Sequence, residues 1–344
     1  MKSKCVRVHK RECSKVLRIL KSAGVVRADL KLKRDNEFVE IPVSSADVSK
    51  LSELMPDTRW ELCEDEFEEI SRGLTYKDLL KGVLPKEVIR ELPRSYSIIG
   101  DIAVIHLPEE LLAYGSKVAS AIMNVAKNVK VVYAASGIAG KYRLMNLVHL
   151  GGERRSWTIH KEYGIRIYVD VKKAYYNPSL SEEHRRIARK VRDGEVIIDL
   201  FAGVGPFALH ILTSRRCRVY VVDINPDAIL CFLKSIELNR RKILGEFVAV
   251  IGDALKLAEV LRDECADRII MNLPHKAPEY IPEVITKVKV GGILHVYCVA
   301  RSQNEASKYV LGFAESRGSI REVVKVLDYA PFKYIYRVDL VRTA

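Results

Sequence analysis

None of the seven cysteines, Cys5, Cys13, Cys63, Cys217, Cys231, Cys265 and Cys298, stands in a C-x-x-C pair, and their number is odd. That spacing argues against a zinc site and against a disulfide framework, so reduced and mostly buried thiols are expected. Also missing is any apolar run of the roughly 20 residues that a spanning helix needs. The first residues, MKSKCVRVHKREC, have no apolar core of the signal-peptide kind. A cytoplasmic protein without a membrane partner is therefore expected, and a monomer. Disorder is excluded by composition, since 48% of the residues are hydrophobic and 29% are charged. A chain of 344 residues has room for two or three domains, each with its own core.

Positive charge is in excess. The formal net charge is +13, which favours a polyanionic partner. The excess is local: residues 141–192 hold thirteen Lys or Arg against five Asp or Glu. By contrast ELCEDEFEE, residues 61–69, reads as a solvated linker or helix face.

The pattern along the chain divides into three. Residues 1–62 contain an amphipathic helix, SKVLRILKSAG, and alternating stretches that suit a hairpin turning near Asp35 and Asn36, a small α/β module. Residues 75–175 place the alternating segments SIIGDIAVIHL, VKVVYAAS, YRLMNLVHLGG and GIRIYVDV around one helix, EELLAYGSKVASAIMNVAKN. They read as a twisted, largely antiparallel sheet with a helix on it, an α+β unit. From residue 176 onward apolar strands alternate with helices, from SEEHRRIARKV through EVIIDLFAG, RVYVVDIN, FVAVIGDA and RIIMNLP to GGILHVYCVA. Strands apolar on both faces between helices predict an open parallel α/β sheet of Rossmann-like type, whose ligands sit beyond the carboxyl ends of the strands. Asp199, Asp223, Asp253 and Asn272 end four of these strands and should share one rim.

The loop DLFAGVGPF, residues 199–207, matches G-x-G-x-x-A through Gly203, Gly205 and Ala208, a pattern that is weak by itself. Its strand ends on Asp199 and no cation follows within the motif, which is poor for a pyrophosphate. A carboxylate there suits a cationic ligand, and S-adenosylmethionine carries an ammonium and a sulfonium without a phosphate. Asp223, 24 residues on, is placed to accept both ribose hydroxyls. Asp253 either accepts from the adenine amino group or caps the following helix. Phe201, Ile224 and Ala254 beside these acids, with Asn272, complete the expected cofactor contacts.

DLFAGVGPF, VVDINPDA, GDA and MNLPHKA, preceded by KEYGIRIYVDVKKAYYNPSLSEEHRRIA, resemble the archaeal and eukaryotic tRNA (guanine-N1)-methyltransferases that act on the nucleotide 3′ to the anticodon. The resemblance spans the whole chain. It implies a class I methyltransferase fold, S-adenosylmethionine as donor, tRNA as acceptor and two N-terminal domains that grip the tRNA. It admits a magnesium requirement, for which the sequence shows no site.

Pro274, two residues after the strand-ending Asn272, fixes the backbone and is expected to leave nearby carbonyls unpaired, so that they and the Asn amide face a flat heterocycle. Exocyclic-amine methyltransferases show Asn-Pro-Pro-aromatic at this place, whereas His275 closes the loop here. Stacking must then come from elsewhere, and Tyr176 is the candidate, with Tyr175 assigned to the core. Guanine N1 carries a proton at neutral pH and needs a base before it can attack. The resemblance assigns that role to Glu183, and the stabilisation of charge on O6 to Arg143. Two positions depart from the family pattern: Ser179 and His184 stand where arginines are usual, and Arg185 or Arg186 is expected to replace the lost charge, or His184 to bond Glu183. Alternatives are an aminocarboxypropyl transferase or a wyosine-intermediate methyltransferase of the same family, a nicotinamide-dependent dehydrogenase, and an RNA-binding protein without catalysis.

Overall fold

The computed structural model describes residues 1–44, 48–56, 58–69, 73–140, 142 and 144–344. Residues 1–75 form one compact unit and residues 76–344 another.

In the first unit the elements run β1 (Lys2–His9), α1 (Cys13–Ser22), β2 (Lys33–Arg34), β3 (Phe38–Pro42), α2 (Val48–Leu54) and β4 (Trp60–Glu66). The sheet order is β2-β3-β1-β4, antiparallel throughout. Cys13, Val16 and Leu20 lie three and four apart and bury one stripe of α1, which ends at Gly24 with φ +70°. The expected hairpin turn is present, with Asp35 Oδ1 accepting from the backbone N–H of Glu37 at 2.8 Å and of Phe38 at 2.6 Å. Two expectations fail here. The acidic run is neither linker nor helix, because most of it forms β4, paired residue for residue with β1. That register sets Cys63 opposite Cys5, and the two form a disulfide, while Cys13, Cys217, Cys231, Cys265 and Cys298 stay free. A pair 58 residues apart is created by strand pairing, which cysteine spacing does not encode.

The second unit opens with α3 (Tyr76–Leu80), α4 (Lys86–Glu91), β5 (Ser97–Ile99), β6 (Ile102–Ile105), α5 (Gly115–Val125), β7 (Val131–Ala139) and β8 (Leu144–Gly152). They build the sheet β5-β6-β7-β8, in which α5 serves as crossover between the parallel pair β6 and β7 and the other pairs are antiparallel. The hairpin β9 (Trp157–Glu162) and β10 (Ile165–Asp170) follows. Then come α6 (Ser181–Lys190), β11 (Val196–Asp199), α7 (Pro206–Leu212), β12 (Arg218–Asp223), α8 (Pro226–Asn239), β13 (Glu246–Ile251), α9 (Ala254–Val260), β14 (Ala266–Met271), α10 (Ile281–Val284), β15 (Val288–Ala300), α11 (Gln303–Ala314), β16 (Gly318–Ala330) and β17 (Lys333–Arg342). Among the described residues β10, expected in the preceding sheet, pairs with β9 alone. Its outer edge is held by α8: Asn239 Oδ1 accepts from Arg166 N–H at 3.0 Å, and Ser235 Oγ accepts from Tyr168 N–H at 2.8 Å.

The large sheet has the order β13-β12-β11-β14-β15-β17-β16 and is parallel from β13 to β15, with β17 antiparallel to both its neighbours. This is the Rossmann-like architecture expected, extended by a hairpin. Successive residues alternate between its two cores: Ile197, Val219, Phe207 and Phe232 fill one face, and Ile198, Ile269, Val284 and Leu294 the other. Among the described residues no helix is long and apolar enough to cross a membrane.

Candidate active site

β11 neighbours β12 on one side and β14 on the other, so the chain order reverses there and a crevice opens beyond the carboxyl ends. Asp199 ends β11 between Val221 and Ile270, and Asp223 ends β12. Asp253 and Asn272 follow β13 and β14 by two residues and one. All four thus stand on one edge of the sheet, as expected.

Asp199 is fully buried, and neither carboxylate oxygen has a hydrogen-bond partner among the described residues. Burial, aided by the nearby Asp223 charge, pushes its carboxyl up to about 8. Among the described residues no partner offsets that penalty, so the fold keeps a buried carboxyl for a cation to complete.

The glycine loop wraps around this point. Asp223 Oδ2 accepts from Gly203 N–H at 2.7 Å and its Oδ1 from Asn225 N–H at 2.8 Å. Burial raises the Asp223 carboxyl, and these two bonds oppose the rise. Gly205 has φ +72°, and a Cβ on it would stand 2.3 Å from the Phe232 ring. Only glycine lets the loop pass Phe232 and enter α7, where Pro206 takes the first turn. Phe201 packs edge-on against Tyr280, and Ile224 is half-buried. Asp253 caps α9 through Oδ1, accepting from Leu255 N–H at 2.9 Å and Lys256 N–H at 3.4 Å, which is one of its two readings, and Ala254 begins the helix buried.

The Asn272-Leu273-Pro274-His275 loop departs from expectation in one respect. Two of its carbonyls are paired: Leu273 O accepts from Lys276 and Ala277 N–H and Pro274 O accepts from Val299 N–H at 3.2 Å. The Pro274 bond fastens the loop to β15, and the Asn272 amide beside it is partly exposed and without a partner among the described residues.

Glu183 sits in the first turn of α6 and is 2% exposed. Its Oε1 accepts from the Tyr297 hydroxyl at 2.9 Å and from Arg337, and its Oε2 from Arg186 at 2.6 Å. Arg186 therefore takes up the charge missing at His184, as one expectation had it. His184 does not bond Glu183. It turns inward, with Nδ1 2.9 Å from Glu162 Oε2, where His210 Nε2 meets the same oxygen at 2.8 Å.

The Glu162 cluster also corrects the assignment of the tyrosines. Tyr176 is 5% exposed and its hydroxyl donates to Glu162 Oε1, so it is not placed to stack on a substrate. Tyr175 is 45% exposed, and its carbonyl lies 3.4 Å from where a Cβ on Gly203 would stand. Burial alone would raise the Glu162 carboxyl, but bonds from His184, His210 and Tyr176 outweigh it and hold the group well below the usual range. The three ligand-type atoms of Glu162, His184 and His210 lie within 4.8 Å of one another. A pair of imidazoles on one carboxylate is unsuited to magnesium, which takes oxygen ligands. The sequence offered no signal for this cluster, since its members come from β9, α6 and α7.

Arg143 and Lys141 lie outside the described residues. Of the other basic groups in the span 141–192, Arg155 is bound to Asp101 at 2.6 Å and Glu153 at 2.7 Å, Lys173 faces Asp227 at 3.4 Å, and Lys172 lies over the Tyr133 ring. Arg154 and Lys161 are exposed.

Similarity to known proteins agrees with this geometry. Residues 158–319 match the TRM5/TYW2 methyltransferase domain, residues 76–155 the TYW2 N-terminal domain and residues 5–49 the tRNA methyltransferase 5 N-terminal domain. The tRNA (guanine(37)-N(1))-methyltransferase Trm5b of Pyrococcus abyssi is 36% identical over 97% of both chains. The tRNA 4-demethylwyosine(37)-methyltransferase Taw21 of Saccharolobus solfataricus is 34% identical over 77% of this chain and 98% of its own. The crystal structure of Methanocaldococcus jannaschii Trm5 in complex with adenosine superposes with a TM-score of 0.68 at 27% identity, covering 99% of each chain. The unpartnered Asp199 fits the ammonium of S-adenosylmethionine, and the loop offers no side-chain cation for a phosphate. With that pocket and full-length similarity, the chain belongs to the TRM5/TYW2 family and is an S-adenosylmethionine-dependent tRNA methyltransferase.

Proposed function

We propose that the protein methylates N1 of the guanosine at position 37, 3′ to the anticodon, the activity for which the Pyrococcus abyssi relative is named. The observation that carries this reading is the orphaned carboxylate of Asp199 on the same rim as the open amide of Asn272. S-adenosylmethionine supplies an electrophilic methyl group on its sulfonium. Asp199 receives the cationic end of the donor, and the lone pairs that Asp223 retains after binding Gly203 and Asn225 accept the ribose hydroxyls. The Asn272 amide orients the edge of the extruded guanine. Glu183 removes the N1 proton once its Oε2 exchanges Arg186 for the base, while Arg337 and Tyr297 keep Oε1 in place. Arg143 stabilises the charge that moves to O6, a contact worth roughly 10²- to 10³-fold in rate. Residues 1–62 and 75–175 grip the tRNA.

The decisive test incubates the protein with labelled S-adenosylmethionine and unmodified tRNA transcripts carrying G, A or inosine at that position, with the product nucleoside identified by mass. 1-Methylguanosine from the G transcript alone is expected, and no label in that transcript would refute the reading. In the same assay Glu183→Gln should lose at least about 10²-fold in rate with binding of S-adenosylhomocysteine intact, and near-normal turnover would reassign the base. The similarity to Taw21 favours one further activity, methylation of a wyosine intermediate, and tRNA carrying that intermediate is the substrate that tests it.

A further inference from the structure

The hairpin of β16 and β17 reaches the same rim. β15 ends at Ala300, which pairs with Tyr334, so the turn Pro331–Phe332 projects from the edge of the sheet where the donor crevice opens. The hairpin contacts the acceptor loop directly, because the Tyr329 ring near the end of β16 meets His275 edge-on with centroids 5.2 Å apart. Two features of the tip bring no return to the fold. Phe332 is 81% exposed and belongs to none of the hydrophobic cores. Its backbone nevertheless holds φ +58°, a left-handed conformation that is unfavourable for a bulky residue and natural to glycine or asparagine. Tyr329 beside it is 50% exposed. A strained turn that presents a large ring to solvent next to a substrate loop serves something outside the chain. The loop itself closes on His275 where exocyclic-amine methyltransferases have an aromatic residue, and Tyr176 is buried, which leaves a stacking role open to other residues of the rim.

We propose that Phe332 and Tyr329 form an acceptor subsite on which an unstacked nucleobase of the tRNA anticodon loop is seated, a role that rests on the tRNA reading above. Aromatic faces take any base without reading its edge, and Lys333 next in the chain suits the adjoining phosphate.

Phe332→Ala, Phe332→Trp and Phe332→Gly are compared with the unaltered protein in steady-state methylation of the G-bearing transcript and in S-adenosylhomocysteine binding. Phe332→Ala should raise KM for tRNA roughly ten- to a hundredfold, the range expected for a lost base–aromatic stack, with donor affinity unchanged and Phe332→Trp restoring KM. Phe332→Gly separates the ring from the backbone: it should melt at a higher temperature than the unaltered protein and show the same KM defect. A tRNA KM that stays within twofold in Phe332→Ala and Phe332→Gly overturns the subsite while leaving the methyltransferase reading standing. An unaltered protein that methylates none of the transcripts overturns both.

Discussion

Asp199 shows what one residue contributes. Burial holds its carboxyl at about 8, so at neutral pH the free protein keeps it largely protonated, and receiving an ammonium group requires the proton to leave. Because the folded value lies above the unfolded one, the group favours the folded state at low pH. That contribution fades as pH rises from about 4 through 8. Donor binding should therefore release close to one proton at pH 7 and weaken about tenfold per unit as pH falls below 8. Calorimetry of S-adenosylhomocysteine binding in buffers of different ionisation enthalpy checks both. Asp199→Asn should flatten the pH profile and weaken binding at pH 8 by at least about tenfold. Single residues of this kind were partly legible: a strand-ending Asp before a glycine loop announces itself in the sequence. Tyr175 and Tyr176 did not, because adjacent residues on an irregular segment have no periodicity to say which one turns inward.

The passage from β11 to α7 depends on its glycine conformations more than on side-chain contacts. Gly205 combines φ +72° with a neighbour, Phe232, that is itself fully buried and cannot retreat. Gly205→Ala should destabilise the fold by about 1–3 kcal/mol and weaken donor binding more than tRNA binding, as urea unfolding and the two titrations will show. Strands and helices of the large sheet were legible because runs apolar on both faces have few other homes. β10 was recognised as a strand but assigned to the wrong sheet, since alternation states which faces are buried and not which partner buries them, and its partner β9 was not read. The β16–β17 pair was not read at all. The acidic β4 was misread because its charge masks its pairing with β1.

On the scale of the whole molecule, the polar interior is the least expected feature. Arg337 is fully buried and binds Glu183, Glu322 and Asp339, and His295 meets Asp339 at 2.7 Å. The network joins α6 to β15, β16 and β17, so the proposed base is positioned by the last two strands of the chain. Arg337→Met would take one cationic partner from each of the buried carboxylates Glu183 and Asp339 and should lower stability by roughly 3–5 kcal/mol. Urea unfolding measures this, and a loss below about 1 kcal/mol would show that the network is dispensable.

The sequence by itself determined the Rossmann-like sheet, the acids along its rim and the basic character of the chain, because periodicity, strand-ending residues and net charge are local or additive properties. Only the tertiary structure decided the Cys5–Cys63 pairing, the burial of Tyr176, the partners of Glu183 and the placement of Phe332 beside the acceptor loop. These depend on which residues distant in sequence are brought together, and that follows from packing the elements rather than from the pattern within any one of them.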